Sequence, residues 1–83
     1  MIEINKNKVL FSASWCSPCK LVIADIRRRG LQDEIQVIKV DDDLKEAKDI
    51  YRVTSVPTLI YFEDNVETNR FVGVEVNKEL DKK

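Results

Sequence analysis

The chain has 83 residues, 43% of them hydrophobic, with two glycines, two prolines and a net charge of −1 from 14 basic and 15 acidic side chains. A chain this short buries only about 60% of the surface exposed by its unfolded form, which allows one compact domain, residues 1–83, and excludes two. The apolar content excludes a disordered or collagen-like chain, and near-neutral charge without an interleaved basic and aromatic stripe argues against a nucleic-acid partner.

Residues 1–6 lack the apolar core of a secretory signal, and no apolar run approaches the roughly 18 residues of a membrane span. The chain therefore reads as cytoplasmic, with no membrane partner. Residues 2–4 fit a stub of extended chain. Residues 8–13, KVLFSA, carry three successive apolar side chains, Val9, Leu10 and Phe11, without helical spacing, which predicts a central strand buried on both faces. From Pro18 onward, Cys19, Val22, Ile23 and Ile26 fall at i, i+3, i+4 and i+7, one stripe of an amphipathic helix. Pro18 suits its first turn, Arg27 to Arg29 its negative end, and Gly30 a left-handed stop.

Residues 35–40, IQVIKV, are β-branched and mostly apolar, a second strand, and strand, helix and strand imply a right-handed parallel crossover. Asp42 or Asp43 then starts a second helix ending near Val53, with Glu46 in a capping box and Leu44, Ala47, Ile50 and Tyr51 facing inward. Residues 58–62 and 68–74 read as an antiparallel hairpin whose turn puts Asn65 at positive φ. A short helix closes the chain around residues 77–80.

The two cysteines, Cys16 and Cys19, stand in SWCSPCK. A structural zinc site wants four ligands, and a chain with two cysteines and no histidine needs a dimer partner or Asp41 to Asp43 to complete one. As a staple the pair closes a loop worth only roughly 2 kcal/mol, and such bridges are uncommon in a reducing cytosol. The redox reading accounts for the spacing. Residues three apart at a helix start are close enough for a disulfide that opens and closes with little backbone movement. The two sulfurs are also unequal, because Cys16 meets the positive helix end while Cys19 belongs to the buried stripe. Cys16 is therefore the expected nucleophile and Cys19 the resolving thiol, with Ser17, Pro18 and Lys20 completing the loop and Trp15 offering an apolar docking surface.

The stretch Ala13-Ser14-Trp15-Cys16-Ser17-Pro18-Cys19-Lys20 resembles the active-site signature of the thioredoxin family, with Ser17 where most members carry glycine. Ser55-Val56-Pro57-Thr58 and Gly73 extend the resemblance, as do Asp41, Tyr51 and Val53, over residues 8–76. It implies a minimal version of that α/β fold, a four-stranded mixed sheet of order 2-1-3-4 flanked by helices. It also implies a cis Pro57 facing the cysteines, so that Val56 pairs with an extended substrate segment and Trp15, Val56, Pro57 and Gly73 bind substrate. The implied activity is that of a protein-disulfide reductase and electron carrier. No cofactor is bound; electrons come from NADPH through a thioredoxin reductase, or from glutathione in a glutaredoxin-like alternative. The chain lacks the glycine pair that many glutaredoxins carry near Gly73. Disulfide-containing proteins, ribonucleotide reductase among them, are the implied targets of a monomer. A redox-inactive binding module of the same fold is the alternative of another class. Two departures stand out. Residues 1–7 leave no room for the extra strand and helix with which most members begin. Leu10 and Val37 fall where the family buries an aspartate and its lysine neighbour, so resolution by Cys19 is expected to be slow.

Overall fold

The computed structural model describes residues 1–82. Four strands and three helices follow one another as β1 (Lys8–Ser12), α1 (Ser17–Arg28), β2 (Ile35–Lys39), α2 (Leu44–Tyr51), β3 (Thr58–Glu63), β4 (Val66–Val72) and α3 (Val74–Leu80). The sheet order is β2-β1-β3-β4, parallel between β1 and β2 and antiparallel elsewhere. This is the mixed sheet that the family resemblance implies.

β1 lies at its centre because Val9, Leu10 and Phe11 are all fully buried. Alternation sends Val9 and Phe11 to one face and Leu10 to the other. Val9, Phe11 and Ile60 pack with Ala47 of α2, whereas Leu10 and Leu59 pack with Val22 and Ile26 of α1 and Val76 and Leu80 of α3. The sheet is thus covered on both faces, and Cys19 belongs to the first of these clusters.

α1 stops as its sequence predicts. Gly30 takes φ +70°, the Gly30 N–H donates to Arg27 O at 3.0 Å and the Leu31 N–H to Ile26 O at 2.9 Å, the paired bonds of a Schellman cap. The β3–β4 connection is tighter than expected. Asp64 and Asn65 both have positive φ, as a two-residue type I′ hairpin requires. That starts β4 at Val66, two residues early, and ends it at Val72, so Gly73 and Val74 leave the strand and open α3.

Two expectations for α2 fail. Leu44 and Ile50 are exposed, Ile50 by 63%. An eight-residue helix turning about 100° per residue buries only the narrow line through Ala47 and Tyr51, from which Ile50 is rotated by about 60° or more. The helix does end near Val53, its last residue Tyr51 being followed by Arg52, which turns left-handed with φ 57°. Glu46 makes no capping box; its carboxylate accepts from the Ile2 N–H at 2.9 Å and seats Ile2 in the core.

The N-terminal segment forms no strand. Gln36 of β2 holds it instead, its Oε1 accepting from Asn5 N at 2.8 Å and Lys6 N at 3.2 Å while its Nε2 donates to Glu3 O at 2.7 Å.

Candidate active site

The local sequence builds the site at the junction of β1 and α1. After Ser12 the chain turns, with the Cys16 N–H donating to Ala13 O at 3.2 Å, and Cys16 becomes the N-cap of α1 with extended φ −102° and ψ 105°. A helix start leaves its first N–H groups without partners, and a side-chain oxygen usually accepts one of them. Here the acceptor is sulfur: the Cys19 N–H points at Cys16 Sγ at 3.2 Å. Pro18 sits in this first turn, where a residue without an N–H forfeits nothing.

The two sulfurs are joined as a disulfide across a Cα–Cα distance of 5.3 Å. Cys19 is fully buried and Cys16 keeps 6% of its surface, so of the two residues it is the N-cap cysteine that reaches solvent.

Across from the pair, the Val56–Pro57 bond is cis and the Val56 carbonyl oxygen lies 3.7 Å from Cys16 Sγ. Two bonds hold this loop: Thr58 Oγ1 donates to Ser55 O at 2.7 Å, and the Gly73 N–H donates to Pro57 O at 3.0 Å. Gly73, with φ +61° and ψ −126°, is therefore brought beside Pro57 although 16 positions separate them in the sequence. Trp15 stands 63% exposed immediately before Cys16, and Ser17, Pro18 and Lys20 are exposed on the same loop and first turn.

Asp41 holds the near side of the loop. Its carboxylate accepts from the Ser14 N–H at 3.0 Å and from the Ser14 hydroxyl, and these bonds, the hydroxyl's first, keep the carboxyl below its ordinary value. The sequence offers Asp41 as a possible zinc ligand and as part of the family resemblance, but no local pattern links it to Ser14, 27 positions away. Asp41 is thus engaged by the loop, and among the described residues no group of three or more histidine, cysteine or acidic side chains is placed to hold a metal ion.

Arg29 is likewise more than a solvated cap. It donates to Asp25 at 2.8 Å, to Leu80 O at 2.9 Å and to Asp81 at 2.5 Å, tying α1 to the end of α3. Burial alone would raise the Asp25 carboxyl, but its bonds from Arg29 and Arg28 bring it below the ordinary value. Arg70 does similar work for α2, donating to the carbonyls of Tyr51 at 2.5 Å and Arg52 at 2.8 Å.

Leu10 and Val37 are cross-strand partners, yet they are no buried pair. Leu10 is fully buried and Val37 is 37% exposed, because β2 is the sheet edge and Val37 borders the groove beside α1.

A helix-capping cysteine bonded to a buried partner one turn on, facing a cis-proline loop on a mixed sheet, defines a thiol–disulfide oxidoreductase. Comparison with known proteins narrows the class. The family model for thioredoxin matches residues 3–83. The thioredoxin of Mycoplasma genitalium is 37% identical over 76 residues, covering 88% of this chain and 74% of the relative, and that of Rickettsia typhi is 33% identical over 73 residues, covering 84% and 70%. Among solved structures, Fasciola hepatica thioredoxin superposes with a TM-score of 0.73 at 29% identity, covering 93% of this chain and 79% of that one. Oxidised thioredoxin O2 of Arabidopsis thaliana gives 0.66 at 32% identity, covering 90% and 69%. The chain belongs to the thioredoxin family. Its activity is thiol–disulfide exchange at a Cys-x-x-Cys site, of the protein-disulfide reductase type. Members of the family carry no bound cofactor and act on disulfide-containing proteins in concert with a reductase. No helix among the described residues is long and apolar enough to cross a membrane.

Proposed function

We propose that the chain is a dithiol protein-disulfide reductase in which Cys16 is the nucleophile and Cys19 the resolving thiol. The observation that carries this reading is the position of Cys16 Sγ at the N-cap of α1, 3.2 Å from the Cys19 N–H, where helix-end N–H groups and the dipole favour a thiolate. In the reduced protein the Cys16 thiolate attacks one sulfur of a substrate disulfide. The substrate S–S bond breaks, a Cys16–substrate mixed disulfide forms, and the other substrate sulfur leaves as a thiolate that takes a proton from water. The Cys19 thiol then gives up its proton and attacks Cys16 Sγ, which closes the Cys16–Cys19 bond and expels the second substrate sulfur. Two electrons have passed from the protein to the substrate. Leu10 supplies no carboxylate to take the Cys19 proton, so this second step is the slow one.

Trp15, Val56, Pro57 and Gly73 surround Cys16 as the substrate-binding rim, with the Val56 backbone available to an extended peptide. Ser17, Pro18 and Lys20 shape the loop without adding an imidazole beside the thiolate, in keeping with a reducing couple rather than an oxidising one. A thioredoxin reductase restores the dithiol with electrons from NADPH, in preference to glutathione. A ribonucleotide reductase is a fitting target, and the chain works as a monomeric single domain in the cytoplasm.

The test is NADPH consumption with a peptide disulfide as acceptor, coupled either to thioredoxin reductase or to glutathione and its reductase, for wild type and Cys16→Ser. Turnover with thioredoxin reductase that Cys16→Ser abolishes is the expected result, and Cys19→Ser should accumulate the mixed disulfide. Turnover with glutathione alone would reassign the recycling system. A Cys16 thiol titrating near the free value of about 8.5 would overturn the nucleophile assignment.

A further inference from the structure

A second surface lies beside the redox loop, on the opposite flank from the cis-proline. Between α1 and the free edge of β2 runs a groove of about 720 Å³ that begins at Ser14 and Lys20 and extends past Arg27 and Lys39 to Lys6, over a floor that includes Ile23 and Val37. Four cations line it and no carboxylate does. That imbalance is local, since the whole chain carries a net charge of −1.

The cations differ in what they already do. Lys6 is engaged, donating to Asp33 O at 2.8 Å and Gln32 O at 3.4 Å. Among the described residues Lys20, Arg27 and Lys39 take part in no salt bridge; outside the groove Lys48, Arg52 and Lys78 take part in none either, so it is the convergence of the three on one groove that sets them apart. The acid of α1, Asp25, is occupied by Arg28 and Arg29. Three exposed positive side chains thus stand around an apolar floor without a salt bridge, Lys39 within the field of the Asp41 carboxylate at the Ser14 end, and at that end stands the loop that exchanges disulfides.

We infer that this groove docks an acidic segment of the disulfide-bearing protein, with apolar side chains spaced between its carboxylates, lying along α1 and β2 while its disulfide meets Cys16. This deepens the reductase reading and rests on it. Charge complementarity selects the carboxylates, and Ile23 and Val37 receive the apolar side chains between them. No aromatic side chain lines the groove, and stacking on aromatic rings is what a single-stranded nucleic acid needs. Each exposed charge pair changes binding by a factor of about 1.5 to 5 and is weakened by salt.

Two peptide disulfides identical except for flanking glutamates or glutamines separate the possibilities. At about 0.02 M salt the glutamate peptide should show a kcat/KM about three to ten times higher for the wild type, given two or three such pairs. That preference should fall towards one at about 0.3 M salt and in Arg27→Glu and Lys39→Glu. The glutamine peptide should be reduced at an unchanged rate by Arg27→Glu. Equal kcat/KM for the two peptides, or a preference that survives both substitutions, overturns the inference. Binding of a fluorescent cysteine-free glutamate peptide, read by anisotropy on the same proteins, keeps the groove on trial even when neither peptide is reduced, the outcome that would strike the reductase reading alone. No binding overturns the groove, and so does displacement of the peptide by oligothymidylate at matched charge.

Discussion

Replacing Leu10 with aspartate puts a carboxyl group into the apolar layer between the sheet and α1. Leu10 is fully buried, flanked by Val37 and Leu59 on the neighbouring strands and packed in the cluster of Val22 and Ile26. Losing the leucine side chain forfeits about 1.5–3 kcal/mol of burial, and an unpartnered neutral carboxyl costs about 1–3 kcal/mol more. Both losses are present at every pH. Ionisation adds a third that is not. Above the ordinary aspartate value of about 3.9 the unfolded chain releases its proton while the folded chain keeps it, so the unfolded state binds fewer protons. Stability then falls by up to about 1.4 kcal/mol per pH unit until the folded-state value is passed. A rise of two to three units amounts to about 3–4 kcal/mol at neutral pH. A domain of this length has about 4–12 kcal/mol in all, so Leu10→Asp should be weakened near pH 4 and close to unfolding near pH 7.5. Urea denaturation followed by far-ultraviolet circular dichroism, on wild type, Leu10→Asp and Leu10→Asn at both pH values, measures this. Asparagine matches the size and polarity but does not titrate, so its loss should be the same at the two pH values. A gap between the two variants that does not widen with pH, or an aspartate variant that gains stability towards pH 7.5, refutes the reasoning.

Asp41→Ala removes both acceptors that hold Ser14 and should slow peptide-disulfide reduction several-fold while moving the urea midpoint little. In the wild type the Asp41 carboxyl sits below its ordinary value, so this anchor is fully present above about pH 3.9 and is lost as pH falls through the lower folded-state value. Acid titration of the Ser14 amide shift checks the sign, and a midpoint at or above the ordinary value contradicts it. Arg29→Ala unties α1 from Leu80 and Asp81, and amide exchange should quicken several-fold across residues 76–80 but not within β1. Gly73→Ala meets open space, with no heavy atom within 4 Å of the new Cβ. Its φ of +61° remains strained for an L side chain, so the loss should be about 1–2 kcal/mol, read as a lower urea midpoint at unchanged slope.

The elements around the site were legible because their signals are local. A continuous Val9-Leu10-Phe11 run, a 3.6-residue apolar stripe after Pro18, and Gly30 past its end place β1 and α1, and with them the two cysteines at a helix start. The hairpin was legible in kind but shifted by two residues, since Asp64 as well as Asn65 takes positive φ and the turn length sets the register. Leu44 and Ile50 misled because periodicity shows which side chains share a face, not how wide a face its neighbours cover.

The order of residues from 8 to 30 is enough to put one sulfur at a helix tip and the other in its buried stripe, because capping, proline tolerance and apolar spacing all act within a turn or two of chain. Tertiary structure alone brings Val56 O to 3.7 Å from Cys16 Sγ, Gly73 against Pro57, Asp41 under Ser14 and Lys20, Arg27 and Lys39 along one groove. The first three of these meetings join residues 16 to 40 positions apart, and the partners are chosen by sheet register and by the packing of two faces rather than by any pattern within a segment.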